Sequence, residues 1–317
     1  MKTKNILSFA IVGITLISCS EEIRSDFPLA NQQIENKVEF RKNPFGVIET
    51  GKVSPNGRQV NETVNVKLYS AEYLMAEESN EAGNLIIFED RGNKQLNVDF
   101  SPVLSLDGTQ EIEYYVDDVR APQSMDFDEA REAVFKAGST WKDVTCSDLG
   151  IDGIDGIGFP VGLAAFLYNF PSTPGFISEI NHNGWMPAEF FDLIAPPNGS
   201  EGIIAVTFTF LAIDEEGEFV DSNNDGKFDV GFREIYYNDR FIWSNEGLGI
   251  DVETVALHEM GHGLSQEHFG AAFFTKKGDL KFSPRAVMNA SYSGINRSIN
   301  GTDKAGHCSI WGNWPNN

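Results

Sequence analysis

His258-Glu259-Met260-Gly261-His262-Gly263-Leu264-Ser265-Gln266-Glu267-His268 gathers three of the chain's five histidines into eleven residues. Just upstream, Asp251 precedes Val252-Glu253-Thr254-Val255-Ala256-Leu257, an N-cap side chain followed by helix-compatible residues, so the spacing predicts a helix running into the histidines. On a helix, positions i and i+4 share a face, and His258 and His262 can turn imidazole nitrogens toward one cation. Glu259, one position round, reaches a water on that cation without ligating it. A straight helix would carry His268 about 9 Å beyond His262 and onto another face. The chain must therefore turn back after His262, and Gly263 is available to help. A third ligand delivered this way leaves a fourth position open to water, as catalytic rather than structural zinc sites do. The rival third ligand is a glutamate on a later helix, but none follows Glu267, which leaves His268 as the candidate.

Working outward, Asp126 with Glu129 makes a capping-box pattern. Phe127, Ala130, Val134, Ala137, Trp141 and Val144 then recur at spacings of three and four, which predicts a long amphipathic helix. Residues 112–116, 203–211 and 232–243 read as strands. Farther upstream, Val64, Val66 and Leu68 alternate with polar residues and residues 85–88 form an apolar run, giving a small β-rich region over 61–107 with no evident chemistry. Residues 19–60 are polar, without sustained periodicity, and read as a tether or leader.

The motif from His258 to His268 resembles that of the metzincin metalloproteases, HExxHxxGxxH, and Ala286-Val287-Met288-Asn289-Ala290-Ser291-Tyr292 is similar to their methionine turn. Within that group, residues 110–317 most resemble matrixin catalytic domains. The resemblance implies an α+β domain over 108–317, with a twisted mixed sheet, a long backing helix, a zinc-binding helix and a Met-turn at Met288. It also implies peptide-bond hydrolysis at one zinc ion held by His258, His262 and His268, with Glu259 as general base. Residues 203–211 would then be an edge strand on which an extended substrate pairs. Two departures stand out. Ser265 replaces the motif's glycine where the reversal must occur, at a cost of order 1 kcal/mol for a left-handed non-glycine residue. Thr207 and Phe208 stand where a histidine for a second, structural zinc is common, so only one zinc is expected. The family's latency cysteine is also missing.

The N-terminus reads as an address. Lys2 and Lys4 precede an apolar stretch too short to span a bilayer, and Leu16-Ile17-Ser18-Cys19 resembles a bacterial lipobox. The expectation is a signal peptide over 1–18, acylation of Cys19 and export to the outer membrane, with Ser20-Glu21-Glu22 resembling a surface-export tag. The membrane is then a partner only through the lipid. The net charge of −23, which becomes −25 once residues 1–18 and their two lysines are gone, repels phosphate and excludes nucleic acid as an expected partner.

After lipidation Cys146 and Cys308 are left as an even pair in an oxidising compartment, which fits a disulfide, with two separate buried thiols as the alternative. Asp221, Asn223, Asp225 and Asp229 have EF-hand-like spacing, but Phe232 stands where a bidentate glutamate belongs. Calcium binding and a solvated Asx-rich turn are both open there. His182 and His307 lack spaced partners and read as structural or surface residues. The leading functional expectation is a lipid-anchored zinc endopeptidase acting on proteins or peptides. A non-catalytic surface binding module with a structural zinc is the alternative, and Glu259 discriminates, because a brace needs no carboxylate beside its first ligand.

Overall fold

The computed structural model describes residues 33–34, 37–53, 59–88, 98–104, 109–154 and 156–316. Cys19 and the expected signal peptide lie outside the described residues. Among those residues, no helix is long and apolar enough to cross a membrane.

The main sheet is mixed. Its strands are β1 (Lys37–Phe40), β2 (Val47–Val53), β3 (Gln59–Met75), β4 (Asn84–Ile87), β5 (Ile112–Val116), β6 (Ile151–Ile154), β7 (Ile180–Met186), β8 (Ile203–Ala212) and β9 (Phe228–Asn238). Across the sheet the order is β1-β4-β3-β8-β9-β7-β5-β6, with β2 on the flank of β3. β8 runs antiparallel to both neighbours, whereas β9, β7, β5 and β6 are mutually parallel. Side chains alternate with period two. On β9, Phe232 and Tyr236 enter one apolar cluster, with Phe190, Phe208 and Phe210, while Ile235 and Tyr237 enter another beneath the sheet.

The second cluster is built on the helices. The α1 helix (Phe127–Lys142) is capped by Asp126, whose side chain accepts from the Asp128 N–H, and it buries Ala130, Ala133, Val134, Ala137, Gly138 and Trp141. Against it lies α2 (Val252–Gly263), capped by Asp251, which accepts from the Thr254 N–H. The Trp141 indole donates to the Leu257 carbonyl at 2.8 Å, tying backing helix to histidine helix. The C-terminal α3 (Gly301–Trp311) is stapled to the loop after α1 by Cys146–Cys308, with Cα atoms 5.7 Å apart, so the two cysteines are a disulfide.

Two expectations about strands are corrected here. Residues 203–211 do not form a sheet edge: β8 is buried along its whole length because β3 pairs with it from Val66 to Met75. The strand expected over 232–243 starts earlier and ends at Asn238, whose side chain donates to the Ser200 and Ile203 carbonyls while Trp243 folds back to bond the Asn238 carbonyl. The described strands between residues 37 and 87 therefore continue the main sheet. Strands also occur within the stretch read as a tether, at β1 and β2.

Candidate metal centre

The α2 helix ends at Gly263, and the reversal falls at Ser265 rather than at the glycine: Ser265 has φ +67°. Gly263 is needed for closeness instead, since a Cβ there would lie 3.0 Å from Ile180. The turn is closed by backbone bonds from Ser265 N–H to His262 O (3.0 Å) and from Gln266 N–H to Gly261 O (2.9 Å). Arg233, buried on β9, braces it by donating to the Gly263 carbonyl at 2.9 Å and the Ser265 hydroxyl at 3.0 Å. Burial lowers the Arg233 pKa to about 10, so it stays charged, and its cation faces the negative end of α2.

His268 is thereby brought back to the helical pair. Nε2 of His262 lies 3.0 Å from Nε2 of His258 and 3.1 Å from Nε2 of His268. These three residues form the one group, among the described residues, whose His, Cys, Asp or Glu ligand atoms converge as a metal site requires. The outward ring nitrogens are engaged elsewhere. Nδ1 of His258 faces the Val287 carbonyl at 2.7 Å, and Nδ1 of His262 faces the Gln266 carbonyl at 2.8 Å and the Glu72 carboxylate at 2.7 Å. In the neutral form of each ring, donation outward from Nδ1 leaves Nε2 as a free lone pair aimed inward, the tautomer a metal ligand needs. Burial, with the charge of His262, holds His258 and His268 well below the usual histidine range, so both are neutral. For His262 burial acts in the same direction but is outweighed by the Glu72 charge and hydrogen bond, which raise it. The donor set fits a divalent metal with nitrogen preference.

Glu259 is fully buried, and burial pushes its carboxyl up to about 7 against the opposing effects of His262 and Thr207. Thr207 donates to Oε2 at 2.6 Å, while Oε1 has no hydrogen-bond partner. A buried carboxylate oxygen left unpaired costs stability, on the order of 1–3 kcal/mol, and such groups concentrate at working sites. Met288 lies under α2: a Cβ on Gly261 would be 2.3 Å from its sulfur. The turn around it is clamped by Asp303, buried in the first turn of α3, which accepts from the Val287 and Met288 N–H groups at 3.0 and 3.2 Å.

Four contributors were not visible in the sequence: Glu72, Thr207, Arg233 and Asp303. Glu72 comes from the β-rich region in which no chemistry had been read. The Asp221 loop is the opposite case. Asp221 spends its carboxylate on the Asp225 and Gly226 N–H groups, Asp225 accepts from the Lys227 N–H, and Asp229 accepts from the Ser222 N–H. The Lys227 ammonium pairs with Asp99 and Asp225, so the local cation is a side chain. Among the described residues the carboxylates of Asp221, Asp225 and Asp229 are not gathered into a group of three converging ligands, and the segment around Asn223 is closed by Asx-type bonds from side chains to its own backbone. His182 and His307 are buried structural residues: His182 bonds the Tyr237 hydroxyl at 3.0 Å and His307 stacks on Trp141. No protein-family model matches the chain, and no curated protein matches it.

Proposed function

We propose that the protein is a zinc-dependent endopeptidase of metzincin type, similar to matrixin catalytic domains and tethered to the outer membrane through an acylated Cys19. The observation that carries this reading is the pairing of three convergent imidazole nitrogens with a buried carboxylate, Glu259, that keeps one oxygen unpaired. A structural brace gains nothing from that carboxylate and bears its desolvation cost. The mixed sheet backed by α1, with α2 carrying two of the three histidines, supports the same reading.

His258, His262 and His268 would hold the ion through Nε2. Zinc there supplies Lewis acidity and makes water acidic enough to ionise near neutral pH. Glu259, fixed through Oε2 by Thr207, accepts the proton of the attacking water at Oε1 and delivers it to the departing amine nitrogen. The raised pKa of Glu259 suits it to both halves of that transfer. Met288 forms the floor under the ligands and takes no proton.

The test separates holding the metal from moving the proton. His258→Ala and His262→Ala should abolish zinc retention measured by elemental analysis, and His268→Ala should weaken it. Glu259→Gln should keep about one zinc per chain yet cut hydrolysis of a quenched-peptide library by at least about 10². A wild type that holds zinc and cleaves nothing across the library, with or without N-terminal trimming, would favour the alternative, a binding module with a structural zinc. The observation on that side is the pairing of β3 along β8, the strand on which a substrate would lie.

A further inference from the structure

At the β1 edge of the main sheet, with β4 and β3 between it and β8, three cations share one cavity. It has a volume of ≈ 620 Å³ and is lined by Phe40, Arg41 and Lys42 at the end of β1, Gly46 in the loop that follows, Lys67 of β3 and Phe88 just past β4. No acidic residue lines it. That composition runs against the rest of the chain, in which 47 Asp and Glu outnumber 24 Lys and Arg. At physiological ionic strength a charge acts over about 8 Å, so an anion in the cavity meets these cations rather than the net charge of the protein.

The cavity is built by the fold before any ligand arrives. Lys42 is exposed, and among the described residues no carboxylate pairs with it. Arg41 donates through Nε and Nη2 to one oxygen of Glu39, at 3.2 and 2.8 Å, which fixes the guanidinium and leaves Nη1 for a further acceptor. Lys67 carries its ammonium over the Phe219 ring, 5.2 Å from the centroid. The loop after β1 is held by Asn43, which donates to the Leu68 carbonyl at 2.7 Å and accepts from the Phe45 N–H at 2.9 Å, while Phe45 packs edge-on against Tyr168. At Gly46, with φ +68°, a Cβ would meet nothing within 4 Å, so the cavity is open on that side.

The backbone beside the cavity is already engaged. The Arg41 N–H donates to the Ile87 carbonyl at 2.8 Å, and the Phe88 N–H donates to the Tyr69 carbonyl at 2.7 Å. A peptide that binds by strand addition needs free main-chain partners, and these positions do not supply them. What the cavity offers instead is aromatic surface, from Phe40, 37% exposed, and Phe88, next to cations. A pyranose ring presents polarised C–H groups to the negative face of an aromatic ring and keeps its hydroxyls in water. When the sugar is a uronic acid, its carboxylate is the acceptor that Arg41 and Lys42 call for. The volume falls within the range of ordinary ligand cavities, about 300–1,000 Å³. We propose that this cavity binds an acidic oligosaccharide through the carboxylates of its uronic acid residues, as a second site independent of the metal centre.

The experiment uses the full chain and measures binding by calorimetry at low ionic strength. Trigalacturonate is the probe, with maltotriose as a neutral saccharide and triglutamate as an acidic peptide for comparison. Trigalacturonate should bind with a Kd of about 1 mM or tighter, and the other two more weakly. Lys42→Glu, at an exposed position, should weaken trigalacturonate by at least about tenfold. Phe40→Ala should weaken it by about three- to tenfold through loss of the ring face. Lys276→Glu makes the same change in net charge at an exposed position outside the cavity and should leave the Kd unchanged. The proposal is overturned if trigalacturonate fails to bind in this range, or if maltotriose binds as tightly. It is equally overturned if Lys276→Glu weakens binding as much as Lys42→Glu does. Triglutamate matching trigalacturonate would also overturn it, and would assign the cavity to acidic peptides.

Discussion

Replacing Ser265 by glycine sets two effects of known sign against each other at the turn that delivers His268. Ser265 sits at φ +67°, a left-handed conformation that costs a residue with a Cβ about 1–2 kcal/mol and glycine almost nothing. Relief of that strain alone would make Ser265→Gly stabilising. The hydroxyl, however, accepts from the buried, charged Arg233 at 3.0 Å, and a hydrogen bond to a charged group contributes about 1.5–3 kcal/mol. Arg233 keeps its bonds to the Gly263 carbonyl at 2.9 Å and to Thr209 at 3.1 Å, so its charge is not stranded and the lower half of that range applies. Glycine should therefore be destabilising by about 0.5–1 kcal/mol. Ser265→Ala loses the same bond without the relief and should cost about 1 kcal/mol more than glycine. Urea unfolding of the zinc-free proteins, followed by tryptophan fluorescence, gives both values. Zinc stoichiometry should stay unchanged in both, because the reversal is closed by backbone bonds. If glycine proves more stable than serine by 1 kcal/mol or more, the Arg233 brace is not holding the turn and the account of how His268 arrives is wrong.

A Cβ at Gly261 would meet the Met288 sulfur at 2.3 Å and the Trp141 ring at 3.1 Å. Gly261→Ala should therefore destabilise wild type, the overpacking cost of about 1–3 kcal/mol exceeding the helix-propensity gain of about 1 kcal/mol. In a Met288→Ala background the same change should become stabilising; additive denaturant midpoints across the four proteins would refute the contact. His182 is buried against Tyr237 and Tyr114, and burial lowers its pKa to about 3. Because the folded value lies below the unfolded one near 6.5, its contribution is fully present above pH 6.5 and lost as pH falls toward 3. Between pH 7 and pH 5 that loss is about 2 kcal/mol, and His182→Gln should flatten the pH dependence of the unfolding free energy by that amount.

What the sequence made legible is what repeats locally. The i, i+4 histidines, the Asp251 cap and the stripe from Ala130 to Trp141 are consequences of helical geometry within a few turns, and the structure has them where the spacing put them. The Cys146–Cys308 pairing was accessible because counting left a single pair of cysteines. Glu72 carries no such mark. It lies 186 residues before His258, and its relation to His262 exists only because β3 pairs with β8 in one register, Glu72 opposite Thr207. A slip of one residue would turn Glu72 to the other face of the sheet, among the phenylalanines. Strand pairing of that range leaves no local periodicity beyond "apolar on both faces", which is also why residues 47–53, broken by Gly51, read as tether.

Thr207 shows why the missing pieces belong together. Read as a strand residue, it is only the position where a second zinc ligand is absent. In the fold it faces α2, its hydroxyl fixes Oε2 of Glu259, and its backbone sits in the register that brings Glu72 onto His262. Glu259 and His262 are thus each held by a side chain from adjacent strands, and those two strands were assigned to different regions when read in sequence. Glu259 takes its partner from β8 through Thr207, whereas His262 takes its carboxylate from β3 through Glu72 and its carbonyl from Gln266 at 2.8 Å.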